Sequence, residues 1–540
     1  MPDATRPALE RANPPLLRDP IRRGGLRTGR LMRGFAAGVA ILAAAASSPA
    51  QTLQKKVQTA LANARLGNAQ VGVSIIDVDT GSELADLRAG GGGDGAFIPA
   101  SNLKLLTSGA ALLALGKDYE FRTELLVCGD KLVVRGSGDP AFADPELLEK
   151  MKIGVDQFVD RLVDSAKQAG VSGIREVVVD DRVFDREHVH PDWPAGQLHL
   201  SYCAPVGGVN FHGNVLNVYV TPGPTIGADA AARPEPAGSW INITRAARTV
   251  RDGTTEVWLE REKEPFSFKL HGNVRTPPDG PVQVTVTDPG LFFGRVLADR
   301  VQRAGLGAGN VTARLVALDE SCAGALPGIS SERVVGIVRT PISVALDRCN
   351  VDSDNLYAES LLKAAGHRVT GQPGSWSNGT SVVRMQVRDR LGAEYASRLV
   401  LADGSGLSRN NRVTPELLTR WLAIMAKQPD CGDTFVRSLA LAGEEGTMKK
   451  RFKGAKIRNE IRGKSGYIRE VRTLSGYVTN IATGRRVAFS ILVNEVPSGA
   501  DARAKEFHEK VVELVDQWLE EQCKGAMAPV QRKTGEKLGG

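Results

Sequence analysis

No segment of the 540-residue chain reaches 18 consecutive apolar residues, so the sequence predicts no membrane-spanning helix. Cysteine is scarce: Cys128, Cys203, Cys322, Cys349, Cys431 and Cys523 are widely spaced, with no C-x-x-C among them. That excludes a zinc-ribbon or thioredoxin-like motif, and of the 15 pairings six cysteines allow, the spacing selects none. The glycine run at 90–93 lacks a following G-K-[ST] and reads as a spacer, not a phosphate loop. No internal repeat is present. With 42% hydrophobic and 24% charged residues, the chain is neither disordered, collagenous nor a disulfide-dense miniprotein.

What is there begins with charge. The formal net charge of +8 invites a nucleic-acid reading, but residues 1–50 carry net +5 and residues 524–540 net +3, leaving 51–523 neutral. The body therefore predicts no nucleic-acid partner. Arg27, Arg30 and Arg33 precede the 13-residue apolar run GFAAGVAILAAAA (34–46), with Ser48 and Ala50 at the −3 and −1 positions of a cleavage site. This is the pattern of a secretory signal cleaved after Ala50, implying an exported, periplasmic protein without a stable transmembrane anchor. Met32 is an alternative start within the long leader, and Arg22-Arg23 alone is a weak twin-arginine signal.

Within the body, residues 53–66 read as a helix, and VGVSIIDV (71–78) with 83–87 as a hairpin. The Leu/Ala-rich 99–116 reads as an apolar helix. From 127 to 334 the texture changes to short β-like runs at 131–135, 175–179, 215–220, 256–259 and 282–287, with helices at 156–169 and 291–304. Helical pattern returns at 356–365 and 415–426. A hairpin of 473–482 and 485–494 and an amphipathic helix at 504–519 follow. The expected organisation is a signal (1–50), one domain split into 51–126 and 335–523, an α+β insert of one or two domains (127–334), and a basic tail (524–540).

Three short motifs occur in duplicate. Ser-x-x-Lys stands at Ser101/Lys104 and Ser360/Lys363, Ser-x-Asn at Ser353/Asn355 and Ser408/Asn410, and Lys-[Ser/Thr]-Gly at Lys464-Ser465-Gly466 and Lys533-Thr534-Gly535. Ser and Lys one helical turn apart share a face, and burial depresses a lysine enough to accept a serine proton. Ser101 opens an almost wholly apolar helix, which supplies that burial. Lys363 reads as a surface lysine. The tail copy at 533–535 lies in polar sequence with no strand pattern, whereas Lys464 directly precedes the last hairpin. Ser353 and Ser408 both sit in loops, Ser353 just before a helix.

S-x-x-K, S-D-N and K-T-G together are the signature of penicillin-binding proteins and β-lactamases. With VRGSGDPAF (134–142), VVVDDRVFD (177–185), SDNLYAESLLK (353–363), DGSGLSRNNRVTP (403–415) and LAGEEGTMKKRF (441–452), the chain resembles the D-alanyl-D-alanine carboxypeptidase/endopeptidase family of low-molecular-mass penicillin-binding proteins. The 249 positions between Lys104 and Ser353 match that family's long insert. The resemblance implies an α/β (α+β) fold, with a discontinuous penicillin-binding domain of antiparallel sheet flanked by helices, and no cofactor or metal.

It also implies roles. Ser101 is the nucleophile and Lys104 its base. Ser353 relays a proton, Asn355 bonds Lys104 and the substrate, and Lys464 supplies positive potential. Ser465 and Gly466 bind the substrate end, and the N–H groups of Ser101 and Tyr467 form an oxyanion hole. Tyr467 stands where the family usually has Thr or Ser. Asp180, Phe184 and Arg409 occupy positions that recognise a diaminopimelate side chain, and Arg469 replaces a neutral residue. Peptidoglycan peptides are the implied substrates and β-lactams the implied covalent inhibitors. A β-lactamase or esterase of the same fold, and a catalytically silent wall-binding protein, remain the alternatives. The long insert argues against the first and the intact motif residues against the second.

Overall fold

The computed structural model describes residues 49–90, 95–317 and 333–526. The apolar run 34–46, glycines 91–93, Cys322 and the 533–535 motif lie outside the described residues. Among those described, no helix is long and apolar enough to cross a membrane, and Cys203, Cys349, Cys431 and Cys523 are free thiols.

A six-stranded sheet runs in the order Ala440–Leu441, Glu460–Ile468, Val471–Thr479, Arg486–Asn494, Gln70–Asp77, Glu83–Ala89. Every neighbouring pair is antiparallel. The sheet thus joins strands from the two ends of the described chain. Strand alternation gives it two apolar faces. Val71, Val73, Ile75, Phe489, Ile491 and Val493 pack against Leu53 and Val57 of helix Pro49–Ala64 and against Phe507, Val511, Val515 and Leu519 of helix Asp501–Ala526. The opposite face, with Ile76, Tyr477, Ala488 and Leu492, packs on helix Pro415–Ala426 and shares one apolar core with helices Lys104–Leu115 and Asn355–Thr370. Each fully buried aliphatic side chain contributes about 1.5–3 kcal/mol, so two such faces fix the sheet between helical layers.

Between these ends the chain leaves along Glu120–Cys128 and returns along Arg333–Pro341, which pair antiparallel from Val127↔Arg333 to Pro341↔Glu120. The seams drawn at 126/127 and 334/335 fall inside this strand pair. The reason is physical: Phe121, Thr123 and Leu125 already alternate inward ahead of the change in texture. The two strands belong to a mixed five-stranded sheet, ordered Gly307–Leu315, Ile174–Asp180, Lys131–Gly136, Glu120–Cys128, Arg333–Pro341. A second core forms around it, where Phe142, Phe211 and Phe293 meet with centroids 4.7–5.9 Å apart. Three- and four-stranded sheets built from residues 215–285 complete this region. The mixed α/β fold with a discontinuous principal sheet is the one expected.

Candidate active site

Ser101 lies in the 3-10 turn Ala100–Leu103 that feeds helix Lys104–Leu115. The turn is pinned to the sheet beneath it. Asn102 Nδ2 donates to Lys464 O (2.7 Å), Ser475 Oγ donates to Asn102 Oδ1 (2.6 Å), and Thr473 Oγ1 donates to Pro99 O (2.9 Å). One helical turn on, Lys104 is fully buried. Its Nζ lies 3.2 Å from Ser101 Oγ, 2.6 Å from Asn355 Oδ1 and 3.0 Å from Ser405 O. Burial depresses its pKa, opposed by more distant charges including those of Glu359, Asp354 and Asp403.

Ser353 precedes helix Asn355–Thr370 with φ of 67°, a left-handed conformation unusual for serine. Its Oγ accepts from Lys464 Nζ at 2.7 Å, while Asn355 Nδ2 donates to Tyr202 O at 2.8 Å. Lys464 sits in strand Glu460–Ile468, equally buried, its pKa pushed well down by burial and then by the nearby Lys104 charge. Gly466 lets this strand approach the nucleophile. A Cβ there would lie 2.1 Å from Thr473 Oγ1 and 3.0 Å from Ser101 N. Ser101, Ser353, Asn355 and Tyr467 open onto a cleft of about 1160 Å³, which Asp192, Tyr202, Arg409 and Arg469 also line.

A family model described as the D-Ala-D-Ala carboxypeptidase 3 (S13) family matches residues 53–518. The chain belongs to that family. It is 29% identical over 485 residues to a D-alanyl-D-alanine carboxypeptidase of an Actinomadura species, covering 84% of this chain and 83% of that one. A second relative, the D-alanyl-D-alanine carboxypeptidase DacB of Haemophilus influenzae, is 25% identical over 426 residues, covering 75% and 81%. The crystal structure of penicillin binding protein 4 from H. influenzae superposes with a TM-score of 0.65 at 21% identity, covering 88% of this chain and 99% of that one, and supports the fold. The resemblance carried by the motifs is therefore borne out. As an S13 peptidase, the protein is a serine-type DD-carboxypeptidase/endopeptidase acting on the D-Ala termini of peptidoglycan.

The other residues singled out in this S13 chain are placed unevenly. Arg409 reaches the cleft, but its Nη1 donates to Arg469 O (2.6 Å) and Nη2 lies 3.7 Å from Glu470. Asp180 and Phe184 do not line the cleft. Asp180 ends a strand and is ion-paired with Arg182 at 2.9 Å and Arg135 at 3.8 Å. Phe184 is a core residue, its ring seated where a Cβ on Gly138 would lie 2.1 Å away. The acid that the intervening region does place in the cleft is Asp192, held by Ser408 Oγ (2.9 Å) and Asn410 Nδ2 (2.8 Å), bonds that depress its pKa.

Lys363 is not a surface lysine. It is fully buried, 2.6 Å from Asp185 Oδ1 and 3.9 Å from the Trp376 ring centroid, because helix Asn355–Thr370 is covered along most of its length. Sequence reasoning also missed Glu359. Its carboxylate accepts the N–H of Gly404 and of Ser405 at 2.8 Å each and so aims the Ser405 carbonyl at Lys104. Burial and the neighbouring Asp403 push its pKa up to about 7.

Proposed function

We propose that this DD-peptidase works in the periplasm through an acyl-Ser101 ester, cleaving D-Ala-D-Ala termini and D-Ala-diaminopimelate cross-links, and that β-lactams are held as the same ester. The observation that carries the reading is the surroundings of Lys104. A neutral amine donates its two hydrogens to Asn355 Oδ1 and Ser405 O and keeps its lone pair for the Ser101 hydroxyl. Burial favours this neutral form.

Ser101 Oγ adds to the carbonyl carbon as its proton passes to Lys104 Nζ. The oxyanion is received by the backbone N–H groups of Ser101 and Tyr467, an arrangement in which one donor is worth about 3–4 kcal/mol. Collapse breaks the C–N bond. The leaving amine takes the Ser353 proton, which Lys464 replaces across their 2.7 Å contact. Acylation thus moves the charge within the lysine pair, from a protonated Lys464 before attack to a protonated Lys104 in the acyl-enzyme, and the pKa of each is lowered by burial. Water then attacks the ester, returns a proton to Lys464, and Ser101 recovers its own from Lys104. Ser465, at the cleft strand, binds the substrate's terminal carboxylate.

The test is labelling with a fluorescent penicillin followed by mass spectrometry of the modified peptide. The wild type labels at Ser101, and Ser101→Ala does not label. Equal labelling of both proteins overturns the assignment. Digestion of cross-linked muropeptides then measures endopeptidase against carboxypeptidase turnover.

A further inference from the structure

Ser353 must hold a left-handed backbone and still present its hydroxyl to Lys464, yet its nearest polar neighbours in sequence are two carboxylates, Asp352 and Asp354. Such a conformation is strained for a non-glycine residue and persists only where its surroundings over-determine it. What surrounds it is one buried guanidinium. Arg348, in the last turn of helix Ile342–Asn350, is 5% exposed. Its Nη1 lies 2.7 Å from Asp352 Oδ2, and its Nη2 lies 3.8 Å from Asp354 Oδ2. Its backbone carbonyl accepts from Asp354 N at 3.1 Å. One arginine therefore grips the residues on both sides of Ser353.

The grip is itself anchored from the intervening region. Asp144, the cap of helix Pro145–Met151, accepts from Arg348 Nη2 at 3.1 Å and from Tyr357 Oη at 2.7 Å, and Glu146 of the same helix also bonds Arg348. The planar fork of arginine meets several carboxylates at once, which a lysine ammonium does not.

We infer that Arg348 is a positioning residue for Ser353, and that Asp144 and Glu146 extend that positioning from the intervening region to the reaction centre. The inference rests on the relay role proposed for Ser353 and adds to it the device that sets its geometry. It assigns the intervening region a part in the acylation step. A displacement of about 1 Å at a reacting group costs on the order of 10²-fold in rate. Arg348→Met therefore lowers the limiting rate of penicillin acylation by about 10- to 100-fold. The dissociation constant of the preceding non-covalent complex changes little. Arg348→Lys recovers only part of the rate.

The deciding experiment is a double-mutant cycle with Ser353→Ala, read as limiting acylation rate by stopped-flow with a fluorescent penicillin. If Arg348 acts through Ser353, its substitution costs little further in the Ser353→Ala background. If the two losses multiply in full, or if folded Arg348→Met acylates as the wild type does, the inference is overturned. Should Arg348→Met not fold, the cycle is run with Arg348→Lys, which keeps the buried charge and loses the fork. Ser353→Ala acylating at the wild-type rate is a different result: it removes the relay itself.

Discussion

Two lysines of this chain sit one turn after a serine, both buried, and their partners separate their fates. Burial lowers the pKa of Lys363 too, but the contact with Asp185 opposes that shift and Glu187 O accepts a further hydrogen bond, so its charge has a partner in place. Lys104 touches only a hydroxyl, an amide oxygen and a carbonyl, none of which compensates an ammonium. Burial accordingly lowers its pKa, and the sign for catalysis follows: the base is the deprotonated form, so acylation rises with pH through an ionisation below the roughly 10.4 of a free lysine. The expected profile of limiting acylation rate against pH has its acid limb there, and Lys104→Arg, which keeps a charge that does not dissociate, loses at least about 10²-fold at every pH. A limb at or above the free-lysine value contradicts the assignment. The apolar context of Ser101 was enough to prefer it in the sequence. The burial of Lys363 was not legible, because its partner lies 178 positions away and Trp376 reaches it from another helix.

Elements that pass close together are where sequence pattern was weakest. Helix Trp376–Leu391, closed by a Ser375/Asn378 capping box, escaped the sequence reading, in which Gly379 and a polar surface blur the apolar stripe. That glycine is needed by the packing: a Cβ at Gly379 would lie 2.6 Å from Leu362 O, and one at Gly366 would lie 2.1 Å from Asn378 Oδ1. The same logic governs the site. Strand Glu460–Ile468 lies against the nucleophile turn only because Gly466 carries no side chain, and Thr473, which bonds Pro99 O, is not free to retreat. Gly466→Ala is therefore expected to lower penicillin acylation by about tenfold or more while the strand remains in the sheet. Acylation kinetics alongside thermal unfolding check this. An unchanged rate would show that the strand has room to shift.

For the molecule as a whole, the principal sheet is closed by Gln70–Asp77 pairing with Arg486–Asn494, residues more than 400 positions apart. A fragment of residues 342–526 retains Ser353, Asn355 and Lys464 but lacks two strands of that sheet, helices Pro49–Ala64 and Lys104–Leu115, and the nucleophile. It should show no cooperative unfolding by circular dichroism, and should regain penicillin labelling only if residues 49–341 associate with it. Removing residues 527–540, the part of the basic tail beyond helix Asp501–Ala526, is by contrast expected to leave labelling unchanged, since the charge it carries has no counterpart in the neutral body. The sequence alone carried the family and its ordered motifs, and gave grounds to prefer Ser101 and Lys464 to their duplicates. It did so because apolar helix and strand contexts are local properties, written within a few residues of each motif. With both Ser-x-Asn copies in loops, the role of Ser353 came from the family resemblance. Tertiary structure alone decided that Asp180 and Phe184 stay out of the cleft while Asp192 enters it, that Lys363 is a structural ion pair, and that Arg348 clamps the residues beside Ser353. Each of these depends on which distant carboxylate or ring a buried cation meets, and that partner is selected by packing, not by neighbours in the chain.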